Sequence, residues 1–275
     1  MMKKRLLITL SLSIFLLSAA GLKAQSPADI LDRMIQEHAN SISGIETMMV
    51  VTKLEGLIES DIPDTTYYRK VVMDDGTPSL QAVSSVHDTP NADYYNFKQN
   101  YDAIVENSVY EGTQSLDGRT AHVILIEDIS SLYGDVVGQA DPGEGEAQSG
   151  RLFIDNSNYV LLKMQFDMQF DQEYSGAIDI NMKDYRNVDG VYYPFLMEME
   201  IDGISEQFSA EDLAEARAGM AELQQQIDNS SGMQRRIMER AIRPQIERFE
   251  RMLEEGGMTM RMVTLAVETN VAIPE

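Results

Sequence analysis

A nine-residue segment of the sequence, residues 162–170, alternates strictly between apolar and polar side chains. Its apolar members are Leu162, Met164, Phe166, Met168 and Phe170. Successive side chains of a β-strand point to opposite faces, so this pattern predicts a strand with one apolar and one polar face. The apolar face either packs in an ordinary protein core or remains available to a lipid.

Similar patterns predict the other elements of the chain. Helical spacing predicts a helix over 26–40, where Ser26 and Asp29 form a capping-box pattern, and a second helix over 91–107. In the last strand, Val263, Leu265 and Val267 share the predicted apolar parity. The predicted strands cover 45–58, 65–73, 78–87, two strands within 109–128, 151–155, 159–170, 175–187, 190–202 and a final strand from 258.

A helical hairpin is predicted at about 205–257, where the composition changes abruptly. Its first helix begins at a second capping-box pattern at Ser209, and its second helix ends at a glycine pair and should be kinked by Pro244. The hairpin interrupts a series of strands, which is typical of an insertion. It either caps the sheet or serves as a docking arm for a partner.

The N-terminal segment, residues 1–24, has a basic start, an apolar run and small residues, which is the layout of a secretory signal peptide. Cleavage is expected after Ala24, with Ala20 as second choice and an uncleaved anchor as the alternative. Residues 25–275 are then a single domain, expected in the periplasm. The sequence contains no cysteine, which excludes disulfides, thiolate metal sites and a lipid-modified cysteine.

The charge of the chain is strongly negative. The formal net charge is −23, and residues 1–24 contain four basic residues and no acid, so the mature chain carries −27. Such a chain repels nucleic acid and anionic membrane surfaces, and we expect no nucleic-acid partner.

The order of the predicted elements favours a mainly β protein with some helix: one strongly curved antiparallel sheet with helices on its concave face. Three stretches resemble those of the LolA-like family of periplasmic outer-membrane lipoprotein-sorting proteins. They are YEGTQSLDGRTAHVILIE (110–127), GRLFIDNSNYVLLKMQF (150–166) and IDINMKDYRNVDGVYYPFLMEME (178–200), and the ending VTLAVETNVAIPE is also similar. The hairpin at 205–257 is additional to that family's minimal carrier.

The resemblance implies an open half-barrel of about eleven strands, with helices as a lid over an apolar cavity that holds acyl chains. The sequence has 18 methionines and no tryptophan, and flexible methionine suits surfaces that accept variable apolar shapes. The candidate cavity residues are Met48, Val50, Leu54, Leu162, Met164, Phe166, Met168, Ile180, Met182, Phe195, Met197 and Met199.

The sequence points to binding rather than catalysis. None of the common hydrolase or phosphate-loop motifs occurs, and His38, His87 and His122 are expected to be structural or exposed. The acidic loop 141–146 is expected to be solvated rather than a calcium site. We therefore expect no catalytic residue, cofactor or metal.

The leading hypothesis is a monomeric, non-enzymatic carrier of lipoprotein acyl chains or other lipids. For such a carrier, the resemblance implies a donor protein in the inner membrane and an acceptor protein in the outer membrane. The first alternative is an envelope scaffold or sensor module that uses the hairpin as a docking surface. A hydrolase is disfavoured because no nucleophile–base pair can be named.

Overall fold

The computed structural model describes residues 25–56, 62–84, 98, 100–129, 146–169, 175–203, 210–244, 246, 247, 250 and 256–274. The predicted signal peptide, residues 91–97 and 99 of the predicted helix 91–107, His87, Phe170 and residues 141–145 of the acidic loop lie outside these residues.

The described part contains four helices and ten strands in the predicted order, but the strand predicted at 151–155 begins five residues earlier, at Glu146. The helices are α1 (Pro27–Ser41), α2 (Tyr101–Glu106), α3 (Ala210–Asn229) and α4 (Gly232–Ala241). The strands are β1 (Thr47–Gly56), β2 (Asp64–Val72), β3 (Pro78–Ser84), β4 (Ser108–Leu116), β5 (Arg119–Ile126), β6 (Glu146–Asp155), β7 (Leu161–Gln169), β8 (Ser175–Val188), β9 (Val191–Asp202) and β10 (Gly257–Thr269).

The local signals explain how several of these elements begin and end. The capping box of α1 is present, since the Asp29 amide donates to Ser26 Oγ at 3.1 Å and the Ser26 amide donates to Asp29 Oδ2 at 3.3 Å. The β8–β9 turn is formed by Asp189 and Gly190, both at positive φ, as two-residue hairpins require.

The ten strands form one antiparallel sheet in the order β3-β2-β1-β10-β9-β8-β7-β6-β5-β4. If it were flat, its edge strands β3 and β4 would lie about 43 Å apart, since neighbouring strands are about 4.8 Å apart. Helix α1, about 22 Å long, nevertheless contacts β3, β4 and the central strand β9. The sheet must therefore curve around α1, which lies on the concave face.

Two buried clusters fill part of this concave side. The first joins Ile30, Leu31 and Met34 of α1 to residues of β5–β8, such as Ile124 and Ile154. The second lies at the end of α1, where Ile42 and Ile45 pack with residues of β1, β2, β3 and β9. Its remaining members are Met48, Val50, Tyr68, Leu80 and Val191.

The hairpin predicted at 205–257 is represented by α3 and α4, which lie between β9 and β10 in the chain. These two strands are direct neighbours in the sheet, and Asp202 pairs with Gly257. The chain therefore leaves the sheet and returns to it at one place. The assignment of 25–275 to a single domain remains a prediction.

Candidate functional site

The concave face carries three rows of apolar side chains that run across the strands. Row 1 is Phe166, Ile178, Ile201 and Met258. Row 2 is Leu152, Met164, Ile180, Met199 and Met260. Row 3 is Met182, Met197, Met262 and Leu54. Each residue pairs with the next in its row on a neighbouring strand, so each row is a continuous apolar contact surface.

Most residues of these rows are neither fully buried nor exposed. Leu152 and Met182 are buried in the first cluster, whereas the other members keep part of their surface. We call this half-buried set the methionine face. It consists of Leu54, Met164, Phe166, Ile178, Ile180, Met197, Met199, Ile201, Met258, Met260 and Met262.

The methionine face lies at one end of the sheet, beside the place where the chain departs into the hairpin. Row 1 ends at Met258, which follows Gly257 directly, and its partner Ile201 precedes Asp202. The second cluster, with Met48 and Val191, fills the opposite end of the same strands. The concave side is therefore packed at the Met48 end, whereas at the other end the methionine face keeps part of its surface and Met168 is buried in the first cluster.

The structure divides the predicted cavity residues into two groups. Leu54, Met164, Phe166, Ile180, Met197 and Met199 belong to the methionine face. Met48, Val50, Met168 and Met182 are buried in the two clusters. Phe195 is also buried, and the Arg186 guanidinium lies 4.1 Å from the centre of its ring. Their role in ligand binding remains a prediction for both groups.

The prediction that Leu162 shares a face with Met164 is wrong. Leu161 pairs with Ile154 and Lys163 pairs with Phe153, so Leu162 is an extra residue in a β-bulge. It packs on the convex face with Ala121, Val123, Phe153 and Val160. The inserted residue reverses the parity of the strand, and Leu161 takes the concave position instead.

Three methionines of β10 were missed at the sequence level for the same reason. The register between β1 and β10 shifts at Val51 and Thr52, which leaves Leu265 unpaired and 50% exposed. Residues before this bulge therefore face the concave side on even positions, and Val267 does so on an odd one. The prediction placed Val263, Leu265 and Val267 on the apolar face and therefore assigned the even-numbered methionines to the other face. The alternation of Met258, Met260 and Met262 was the sequence signal that could have identified them.

The convex face opposite the methionine face is a network of ion pairs. Lys163 Nζ lies 2.6 Å from Asp179 Oδ2, and Arg261 Nε lies 2.9 Å from Glu198 Oε1. Lys183 also donates to Glu198, and this hydrogen bond holds the pKa of the Glu198 carboxyl below its ordinary value despite burial. Across β7–β10, the sheet is thus apolar on its concave side and charged on its convex side.

The two described histidines both have lowered pKa values. Burial lowers the pKa of His38 to about 4. The pKa of His122 is also lowered, mainly by burial, and its Nδ1 lies 3.1 Å from the Tyr110 hydroxyl. In the described ranges, no three His, Asp or Glu side chains are grouped so that they could hold a metal ion. Likewise, none of the described helices is long and apolar enough to cross a membrane.

The predicted fold class is confirmed: the chain is mainly β, and its antiparallel sheet is open and curves around a helix. Ten strands are described, whereas the resemblance implies about eleven.

Comparison with known proteins finds similarity in solved structures alone. No family model matches the sequence, and no curated protein matches it. A candidate outer membrane lipoprotein-sorting protein domain from Vibrio parahaemolyticus is 8% identical, with a TM-score of 0.40, over 88% of this chain and 93% of that chain.

Two further structures are similar over most of their length. A DUF1329 family protein from Desulfovibrio piger is 7% identical, with a TM-score of 0.41, over 91% of this chain and 96% of its own. A LolA superfamily protein from Nitrosomonas europaea is 9% identical, with a TM-score of 0.34, over 89% and 94%. These identities and scores are low, and function is therefore argued from the residues of this chain.

Proposed function

We propose that this protein is a periplasmic carrier or chaperone that binds acyl chains of lipoproteins or other lipids on the methionine face, for sorting to the outer membrane. The observation that supports the proposal is the half-buried state of eleven large apolar side chains on the concave side of the sheet. Five of these side chains pack against the first cluster on one side and still keep part of their surface, and the convex surface behind the methionine face is charged.

The dimensions of the methionine face suit a hydrocarbon chain. From β7 to β1 it crosses five strands, or about 19 Å, and its three rows extend about 13 Å along the strands. One lipid acyl chain spans half of a bilayer core, or roughly 15 Å. The face can therefore cover one or two acyl chains along much of their length.

The driving force is adequate without covalent chemistry. Burial of apolar surface contributes about 0.8 kcal/mol per methylene, so a chain of a dozen methylenes gains roughly 10 kcal/mol. Association costs at least about 4 kcal/mol, so at most roughly 6 kcal/mol remain and the complex is reversible. Methionine adapts to different chain positions because its side chain is flexible and polarizable.

The α3–α4 hairpin is the lid in this proposal, because it leaves the sheet next to row 1 and buries Ile227 and Ile246 completely or nearly so. Release of the ligand then requires the hairpin to move, which would expose the methionine face to an acceptor. A donor protein in the inner membrane and an acceptor in the outer membrane belong to this proposal.

The experiment is purification of the mature protein under native conditions, followed by mass spectrometry of extracted lipid and titration with N-phenylnaphthylamine. Met199→Gln places an amide in row 2 and should weaken probe binding about tenfold, because the amide loses water without a partner. Leu265→Gln makes the same kind of change at the exposed bulge and should leave binding unchanged.

Protein that carries no lipid and takes up no probe would refute the carrier proposal. Recovery of a stable complex with another protein through the hairpin, again without lipid, would favour the scaffold or sensor module. Equal loss of binding in both variants would show that the probe is not held by the methionine face.

A further inference from the structure

Helix α4 has an unusual charge for this protein. Arg235, Arg236, Arg240 and Arg243 lie within nine residues, with Glu239 as the one acidic residue among them. The mature chain as a whole carries −27, so this helix is a basic site on an acidic molecule. Charges on one helix are felt locally, because electrostatic interactions are screened over about 8 Å at physiological ionic strength.

Two of these arginines, Arg235 in α4 and Arg243 just after its end, are already paired with Glu239. Arg235 Nε lies 2.9 Å from Glu239 Oε1, and Arg243 lies 3.6 Å from the same carboxylate. Arg236 and Arg240 are exposed, and neither has an acidic partner within the described part of the chain. Their two positive charges remain available to an anionic ligand.

The same side of α4 also presents large apolar side chains to solvent. Met233 is 77% exposed and Ile237 is 60% exposed, although both are large and apolar. They lie one turn apart, and Arg236 and Arg240 each follow one of them by three residues, so the four side chains form one continuous patch. We call this patch the outward face of α4.

Packing of the helix against the protein does not require this outward face. Met238 and Ile242 lie on the opposite side of α4 and are partly buried. The chain continues to Ile246, which is 7% exposed. Helix α4 thus packs against the protein through one apolar side and exposes a second apolar side that is flanked by arginines. This second side has the pattern of an interfacial amphipathic helix.

We propose that the outward face of α4 binds the surface of an anionic phospholipid bilayer. The arginines bind lipid phosphates, and the two apolar side chains enter the boundary between head groups and acyl chains. The negative charge elsewhere on the protein orients α4 toward the bilayer, since the other surfaces are repelled. This inference goes beyond the proposed carrier function and concerns a different surface.

The test uses sedimentation of the mature protein with vesicles of phosphatidylglycerol and phosphatidylethanolamine. The protein should bind these vesicles, and binding should weaken with added salt and with phosphatidylcholine in place of phosphatidylglycerol. Arg236→Gln with Arg240→Gln should lower the partition coefficient about 25-fold, since each arginine near an anionic surface contributes about fivefold. Ile237→Ser should lower it about tenfold.

The matched control is Arg69→Gln with Arg217→Gln, which removes two exposed arginines from β2 and α3 and changes the net charge equally. It should retain vesicle binding, and circular dichroism should show that all variants are folded. Equal loss in both double variants, or equal binding to zwitterionic vesicles, would overturn the proposal.

An acidic protein that binds through α4, in the absence of vesicle binding, would also overturn the bilayer proposal and identify a protein partner. The bilayer proposal and the carrier proposal can be refuted independently of each other. Met199→Gln should reduce uptake of N-phenylnaphthylamine and leave vesicle sedimentation unchanged, because Met199 lies on β9 inside the concave face.

Discussion

Replacement of Phe166 by Asp, compared with replacement of Gln165 by Asp, tests the two faces of the sheet directly. The two residues are neighbours on β7, but Phe166 points to the concave side and Gln165 to the convex side. The Phe166 ring lies against Gly150, whose absent Cβ would be only 3.1 Å from Phe166 Cδ1. Both variants add one negative charge, so the change in net charge is the same.

The expected cost of Phe166→Asp follows from its partial burial. Removal of a fully buried phenylalanine side chain costs about 3–5 kcal/mol, so the half-buried ring should contribute about 2 kcal/mol. Placement of a carboxylate among Met164, Ile178 and Gly150 adds a desolvation penalty, for a total of about 2–4 kcal/mol. For a chain of this size the midpoint of thermal unfolding should fall by about 5–15 °C.

The assays are differential scanning calorimetry and titration with N-phenylnaphthylamine at a temperature where both variants remain folded. Phe166→Asp should also abolish uptake of the probe, whereas Gln165→Asp should change the midpoint and the affinity little. Equal effects of the two variants on both measurements would refute the assignment of the faces.

Three further predictions concern the sheet and its insertion. Gly56→Ala should lower the free energy of unfolding by about 2 kcal/mol or more, because its φ is +120° and the new Cβ would lie 2.7 Å from the Thr259 carbonyl oxygen. Urea titrations measure this effect, and Gly44→Ala is the control because no atom lies within 4 Å of its new Cβ. Glu198→Gln should make the free energy of unfolding less dependent on pH below 4.5, the ordinary pKa of the carboxyl group. The folded state lowers the pKa of Glu198, so the wild-type protein has a stabilisation that is lost as the pH falls. Equal slopes of stability against pH for the wild type and the variant in acid titrations would contradict this. Replacement of 204–256 by Asn-Gly should leave the sheet folded, since β9 and β10 pair directly; loss of cooperative unfolding in circular dichroism would show that the hairpin belongs to the core.

Much of the fold could be predicted because each element repeats one simple pattern. The alternation of Met164, Phe166 and Met168 gives β7, and the capping box at Ser26 gives the start of α1. Asp-Gly pairs mark the turns because their residues tolerate positive φ. Each of these signals depends only on residues close together in the sequence. Such signals were sufficient to predict the type and the sequence of the helices and strands.

The candidate site was harder to predict because β-bulges depend on cross-strand pairing. Leu162 and Leu265 each add one residue to a strand, and both reverse the relation between parity and face. Neither bulge has a distinctive sequence. The division between packed methionines such as Met182 and half-buried ones such as Met199 also depends on which helices cover which end of the sheet.

The direct pairing of Asp202 with Gly257 has a consequence for protein engineering. Paired residues in antiparallel strands have Cα atoms about 5 Å apart, so the hairpin is attached through two closely spaced ends. A foreign domain whose termini are similarly close could be grafted at this junction without altering the register of any strand. The half-barrel could then serve as a scaffold that displays a reporter beside its own open end.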